Sequence, residues 1–211
     1  MKTPTDSYKR LKKTLSDIKT ILSRVPPLFC ETDLQHLKVQ SYVLLCHAAF
    51  EEYIEELSRS VSNKAIELLN TEGIITKSLV SMTAWETIAQ IDENIPRKKI
   101  KLDVAGNFKT FANASKVNLH KQIDENHGIR KDNQKSLLIP IGVDPEAVDF
   151  ATFAALDSLG VSRGHIAHKV KIQREHTRNA ILADVDTIFR GLQSYDAASC
   201  ECIKLRMQVA N

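Results

Sequence analysis

At 211 residues, 43% of them hydrophobic and 26% charged, the chain is long enough to bury a core and has the composition of a single globular domain. Seven glycines and six prolines are too few for the many tight turns of a sandwich or barrel, so the composition favours long helices. A net charge of +3 is too small to argue for nucleic-acid binding by itself. No run approaches the ~18 apolar residues that span a bilayer, and the start, Met1-Lys2-Thr3-Pro4-Thr5-Asp6, lacks an apolar signal region. The expectation is a cytoplasmic chain with no membrane segment.

Tyr8, Leu11, Leu15, Ile18, Ile21 and Leu22 recur at helical spacing, predicting an amphipathic helix that ends before Pro26-Pro27. Its other face carries Lys9, Arg10, Lys12 and Lys13, which read as solvated. Thr32 or Asp33 then caps a much longer helix to about Asn70, with an apolar stripe that includes Leu34, Leu37, Val43, Cys46, Phe50, Ile54, Leu57 and Val61. This is the expected central helix. On it, Glu51 shares a face with His47, four residues before, and Ile54, three after, which puts the carboxylate at the edge of the core. An ordinary solvated glutamate is the competing reading.

Gly73 ends that helix, and a third is expected over about 77–93, before Pro96. Residues 97–139 carry weaker signals and read as a helical and loop insertion, with the polar stretch 124–135 as an exposed loop. Asp144-Pro145-Glu146 is a strong helix start, leading to Val148, Phe150, Phe153, Leu156 and Leu159; Gly160 and Gly164 suggest a helix end or a close crossing there. A last helix is expected over about 177–204.

Cys30, Cys46, Cys200 and Cys202 show no framework spacing, and Cys200-Glu201-Cys202 lacks a second ligand pair at zinc-site spacing. They read as reduced packing residues, with no metal site. Gly-rich phosphate loops and framed serine or cysteine nucleophiles are absent, so no cofactor is implied.

The segment Arg163-Gly164-His165-Ile166-Ala167-His168 holds the candidate chemistry. Arg163 is a fixed cation suited to phosphate oxygens, and His168 can move protons near neutral pH. That pairing suits cleavage of an RNA phosphodiester, where the neighbouring 2′-hydroxyl is a built-in nucleophile and no metal is required. Spacing alone does not specify a site, since about one such pair arises by chance in a chain of this composition. Arg163 in a surface ion pair, with His168 packed at a helix edge, is the bland alternative. Downstream, Lys169, Lys171 and Arg174 extend a basic run that offers RNA contacts, and His165 is an accessory candidate.

Two segments together resemble the HEPN superfamily, in particular its RiboL-PSP branch. Residues 41–57, with small residues beside Glu51-x-Tyr53, resemble the early long helix, and residues 157–168 carry an Arg-x4-His motif. The resemblance implies an all-α HEPN-like helical bundle and a metal-independent endoribonuclease of a toxin–antitoxin or anti-phage defence system. It implies a homodimer whose two Arg163 and two His168 side chains meet in one cleft, with an antitoxin or defence partner protein. By the same resemblance Arg163 stabilises the scissile phosphate, His168 transfers a proton or orients the 2′-hydroxyl, and Glu51 holds Arg163. Gly164 departs from the Asn, Asp or His that many members carry after the arginine. That departure keeps open a second reading, a non-catalytic module that binds a protein partner or nucleic acid.

Overall fold

The computed structural model describes residues 1–168, 172, 174 and 176–204. Among these it is all-α: α1 (Asp6–Ile18), α2 (Asp33–Glu72), α3 (Lys77–Asp92), α4 (Arg97–Gly106), α5 (Phe108–Asp124), α6 (Lys131–Leu138), α7 (Pro145–Val148), α8 (Phe150–His168) and α9 (Arg178–Lys204), with short 3-10 turns at Lys19–Leu22 and Ile139–Ile141. No helix is long and apolar enough to cross a membrane, among the described residues.

The 40-residue α2 is the axis of the bundle. Thr32 caps it through a reciprocal capping box with Gln35, and Gly73 closes it in the left-handed conformation at φ 67°. Helices α1, α3, α5, α6, α8 and α9 all pack against it. Val43, Phe50, Leu57 and Val61 are fully buried along its length, and they meet Leu156 of α8 and Leu192 and Tyr195 of α9 in one core. Each such side chain contributes roughly 1.5–3 kcal/mol, whereas exposed ion pairs such as Lys9–Asp6 are screened by solvent, so the apolar stripe holds the bundle.

The stripe does not begin where the periodicity suggests. Leu34 and Leu37 in the first turns of α2 are 65% and 45% exposed, open like Leu28 and Phe29 before the helix, because they lie roughly 180° and 120° around α2 from Val43, while His36, Val39 and Gln40 take the inward positions there.

The polar stretch 124–135 is only partly a loop. Residues 125–130 lie between helices, but α6 begins at Lys131, and Ile129 and Gln134 are buried. Gln134 donates to the backbone carbonyls of Ile129 and Phe153 and accepts from the Tyr195 hydroxyl, so its polarity is satisfied inside the bundle. The expected insertion, 97–139, thus supplies Ala112, Leu119, Ile123, Leu137 and Leu138 to the common core.

Two features of α8 also differ from expectation. The start at Asp144-Pro145 yields only the single turn α7. Asp149 breaks the chain and caps α8 afresh, accepting from the Thr152 backbone N–H at 3.1 Å and its hydroxyl at 2.8 Å. The helix then runs straight through Gly160 and Gly164 to His168 instead of ending there. Two interior glycines cost about 1 kcal/mol each, less than the burial of Leu156, Leu159 and Ile166 returns. Gly160 serves a close approach instead: a Cβ there would stand 3.0 Å from Cγ of Arg130 and 3.6 Å from Ile129.

All four cysteines are free thiols. Cys46, Cys200 and Cys202 are buried and Cys30 is half-buried.

Candidate functional site

Leu156, Leu159, Arg163 and Ile166 fall on one face of α8 at the helical period, so Arg163 takes a core-facing position between two buried aliphatic side chains. The neighbouring face of α2 changes character in the same region. His47 is buried at 3% exposure, and Glu51, one turn on, is half-buried with its carboxylate 3.6 Å from His47 Nδ1. Arg163 lies near enough for its charge to act on both. Both helices therefore place polar groups where their pattern calls for apolar ones.

The electrostatics follow from burial. Desolvation, helped by the Arg163 charge, pushes the His47 imidazole down to about 4, so the ring is neutral at physiological pH. Glu51 moves the other way: burial and then the neighbouring Glu55 carboxylate raise it, with Arg163 and His127 opposing. The Arg163 guanidinium makes no hydrogen bond or ion pair with a side chain or carbonyl of another described residue.

The loop 125–130 completes the cluster. Asn126 donates to Glu55 Oε1 at 2.7 Å, to Glu51 Oε1 at 3.4 Å and to the Gly128 carbonyl at 3.1 Å, while accepting from Asn133 Nδ2 at 3.0 Å. Arg130 in turn pairs with Asp157 of α8 at 3.2 Å. Loop, α2 and α8 are thereby tied around one polar patch of His47, Glu51, Glu55, Asn126, His127 and Arg163. Of these, sequence reasoning singled out Glu51 and Arg163. His47, Glu51 and Glu55 repeat every four residues along one face of α2, a visible signal for the α2 part. Asn126 had none.

Glu51 and Arg163 are thus brought together, though as electrostatic neighbours and not as a direct ion pair. Tyr53 serves elsewhere: it is buried, and its hydroxyl donates to the Leu192 carbonyl and to Asp196 at 3.4 and 3.5 Å, on the face toward α9. His165 is exposed and lies roughly 160° around α8 from Arg163. His168 is the last residue of α8, its backbone position roughly 140° from Arg163; its side chain lies outside the described residues. Lys169 and Lys171 also lie outside them. Arg174 is exposed and pairs with Asp33 at 2.8 Å, beside the first turn of α2. No three His, Cys, Asp or Glu side chains converge to hold a metal, among the described residues.

A helical bundle with a buried histidine and a half-buried arginine and carboxylate clustered between its central helix and a late helix has an interhelical polar site. The family follows from the sequence as a whole: the RiboL-PSP-HEPN model matches residues 6–201, and the chain belongs to this family. HEPN domains often bind RNA and dimerise, and membership points to an RNase or nucleotide-related role. Neither the curated proteins nor the solved structures gave a match.

Proposed function

We propose that the protein is a metal-independent endoribonuclease of a toxin–antitoxin or anti-phage defence system, cleaving RNA at a composite site built by two copies of the chain. The carrying observation is Arg163 on the core-facing stripe of α8, opposite the His47–Glu51 break in the stripe of α2. A half-buried cation at such a place is suited to a phosphate that becomes more negative in the transition state. Arg163 binds that phosphate, Glu51 holds the local field that orients it, and His168 transfers the proton of the 2′-hydroxyl.

The need for a second copy comes from helix geometry. Positions 163 and 168 lie roughly 140° apart on one helix, so a single α8 does not present both to one substrate face. Two copies meeting near α8 supply an arginine and a histidine from opposite sides. Exposed Leu28, Phe29, Leu34 and Leu37 offer an apolar surface for that association, and the Arg174–Asp33 pair puts Arg174 beside it. Lys169, Lys171 and Arg174 are the cations proposed to contact the RNA backbone.

The open space around Gly164, where an added Cβ would meet nothing within 4 Å, favours the second reading, a binding module without catalysis. Incubation with transfer RNA in EDTA separates the two. Cleavage that His168→Ala removes supports the nuclease; RNA left intact at large protein excess, yet retained by the protein, supports the binding module.

A further inference from the structure

A second polar site lies between α3 and α5. Its floor is Glu86, only 7% exposed, whose Oε1 accepts from Gln90 Nε2 at 2.8 Å and from Asn118 Nδ2 at 2.9 Å. Both donors are neutral amides. The other carboxylate oxygen has no hydrogen-bond partner and no cation within ion-pair distance among the described residues. It is not sealed from solvent, since it does not appear among the fully buried unpartnered atoms, so it opens into the groove that Glu86 lines. Trp85, the only tryptophan of the chain, lines the same groove, with Glu93 and Glu125 among its other residues. The one lysine there, Lys121, is already 3.9 Å from Glu125.

A carboxylate mostly removed from water and met only by neutral donors leaves a negative charge that a buried site normally balances with a cation. The surplus acid in the groove disfavours a phosphate backbone and favours a basic group. An indole beside a carboxylate adds a preference for a flat cation, because guanidinium both stacks on aromatic faces and donates parallel hydrogen bonds to carboxylates. We propose that the groove between α3 and α5 is a docking site for an arginine side chain of a protein partner, with Glu86 as its ion-pairing anchor and Trp85 as its stacking wall. This site is separate from the Arg163 cluster and does not depend on nuclease activity.

Because Trp85 is the sole indole, its fluorescence reports the groove directly. The full chain is titrated into the millimolar range with three blocked tripeptides, Gly-Arg-Gly, Gly-Lys-Gly and Gly-citrulline-Gly, and with a short single-stranded RNA. The proposal expects saturable change with the arginine peptide, weaker binding of lysine and none of citrulline, which keeps the shape and loses the charge. In Glu86→Gln the arginine response should weaken about tenfold or more. Equal response to arginine and citrulline, or a stronger response to RNA that the arginine peptide does not displace, overturns it. The peptide series on the unaltered chain decides the matter even if Glu86→Gln does not fold.

Discussion

Glu51 Oε2 stands 3.6 Å from Nδ1 of His47, one turn earlier on α2, and burial moves the two groups in opposite directions, the imidazole down and the carboxyl up. The neutral imidazole and the Glu51 carboxylate lie near Arg163, and the guanidinium has no ion-pair partner in contact with it among the described residues. That arrangement is what the proposed phosphate contact of Arg163 rests on.

The His47 shift has a measurable sign. Its folded value of about 4 is below the ordinary 6.5, so as pH falls the unfolded chain takes up the proton first. The stability that the neutral ring allows is present above about pH 6.5 and is lost as pH falls toward about 4, by up to about 3 kcal/mol. Melting temperatures of the wild type and His47→Gln, measured between neutral and mildly acid pH, should converge or cross on acidification, the variant losing less. Parallel curves would remove the buried-histidine account.

Glu51→Gln tests the opposite sign. A carboxyl whose value is raised in the fold gives up stability as pH rises through that value, so replacing it with a neutral amide should raise the melting temperature at neutral pH while lowering RNA cleavage. Asn126→Ala, which unfastens Glu51 and Glu55 from the 125–130 loop, should reduce cleavage without that gain in stability. A Glu51→Gln protein that is less stable at neutral pH would contradict the assignment of burial and Glu55 repulsion as the dominant causes.

Three glycines on α8 and α9 should respond differently to alanine. At Gly191 a Cβ would lie 1.7 Å from Thr152 Oγ1, so Gly191→Ala forces α8 and α9 apart and should cost about 1–3 kcal/mol. At Gly164 nothing intervenes, and Gly164→Ala should stabilise the helix by up to about 1 kcal/mol. Gly160→Ala presses on Arg130 and should loosen the loop that carries Asn126. Denaturant midpoints read all three, and a Gly164→Ala loss as large as that of Gly191→Ala would show that Gly164 is not in open space.

Association is testable through Phe29, 63% exposed in the apolar surface ahead of α2. Phe29→Glu should shift the chain toward monomer in sedimentation and lower cleavage in parallel, with helicity unchanged. A monomeric variant that cuts at the wild-type rate would dismiss the two-copy site.

How much of this was legible depends on distance along the chain. The ends of α2 were legible because Thr32, Asp33 and Gly73 act on their own neighbours through capping and a left-handed turn. The continuity of α8 was not, since Gly160 and Gly164 signal a stop locally while the burial that overrides them comes from α2 and α9. Leu34 and Leu37 stand roughly 180° and 120° out of phase with Val43, and the inward places beside them go to the polar His36 and Gln40 as well as Val39, which an apolar pattern does not mark. Within the site, Glu51 was legible from its spacing to His47. Asn126 was not, because its role arises from contacts 71 and 75 residues away in sequence.

The most direct measurement is cleavage of transfer RNA in EDTA by the wild type and by Arg163→Ala, at equal helicity and equal oligomeric state. The account predicts that the wild type cuts and that the variant loses at least about 2.7 kcal/mol of transition-state stabilisation, a fall in rate of about a hundredfold or more. Undiminished cutting by Arg163→Ala would contradict it.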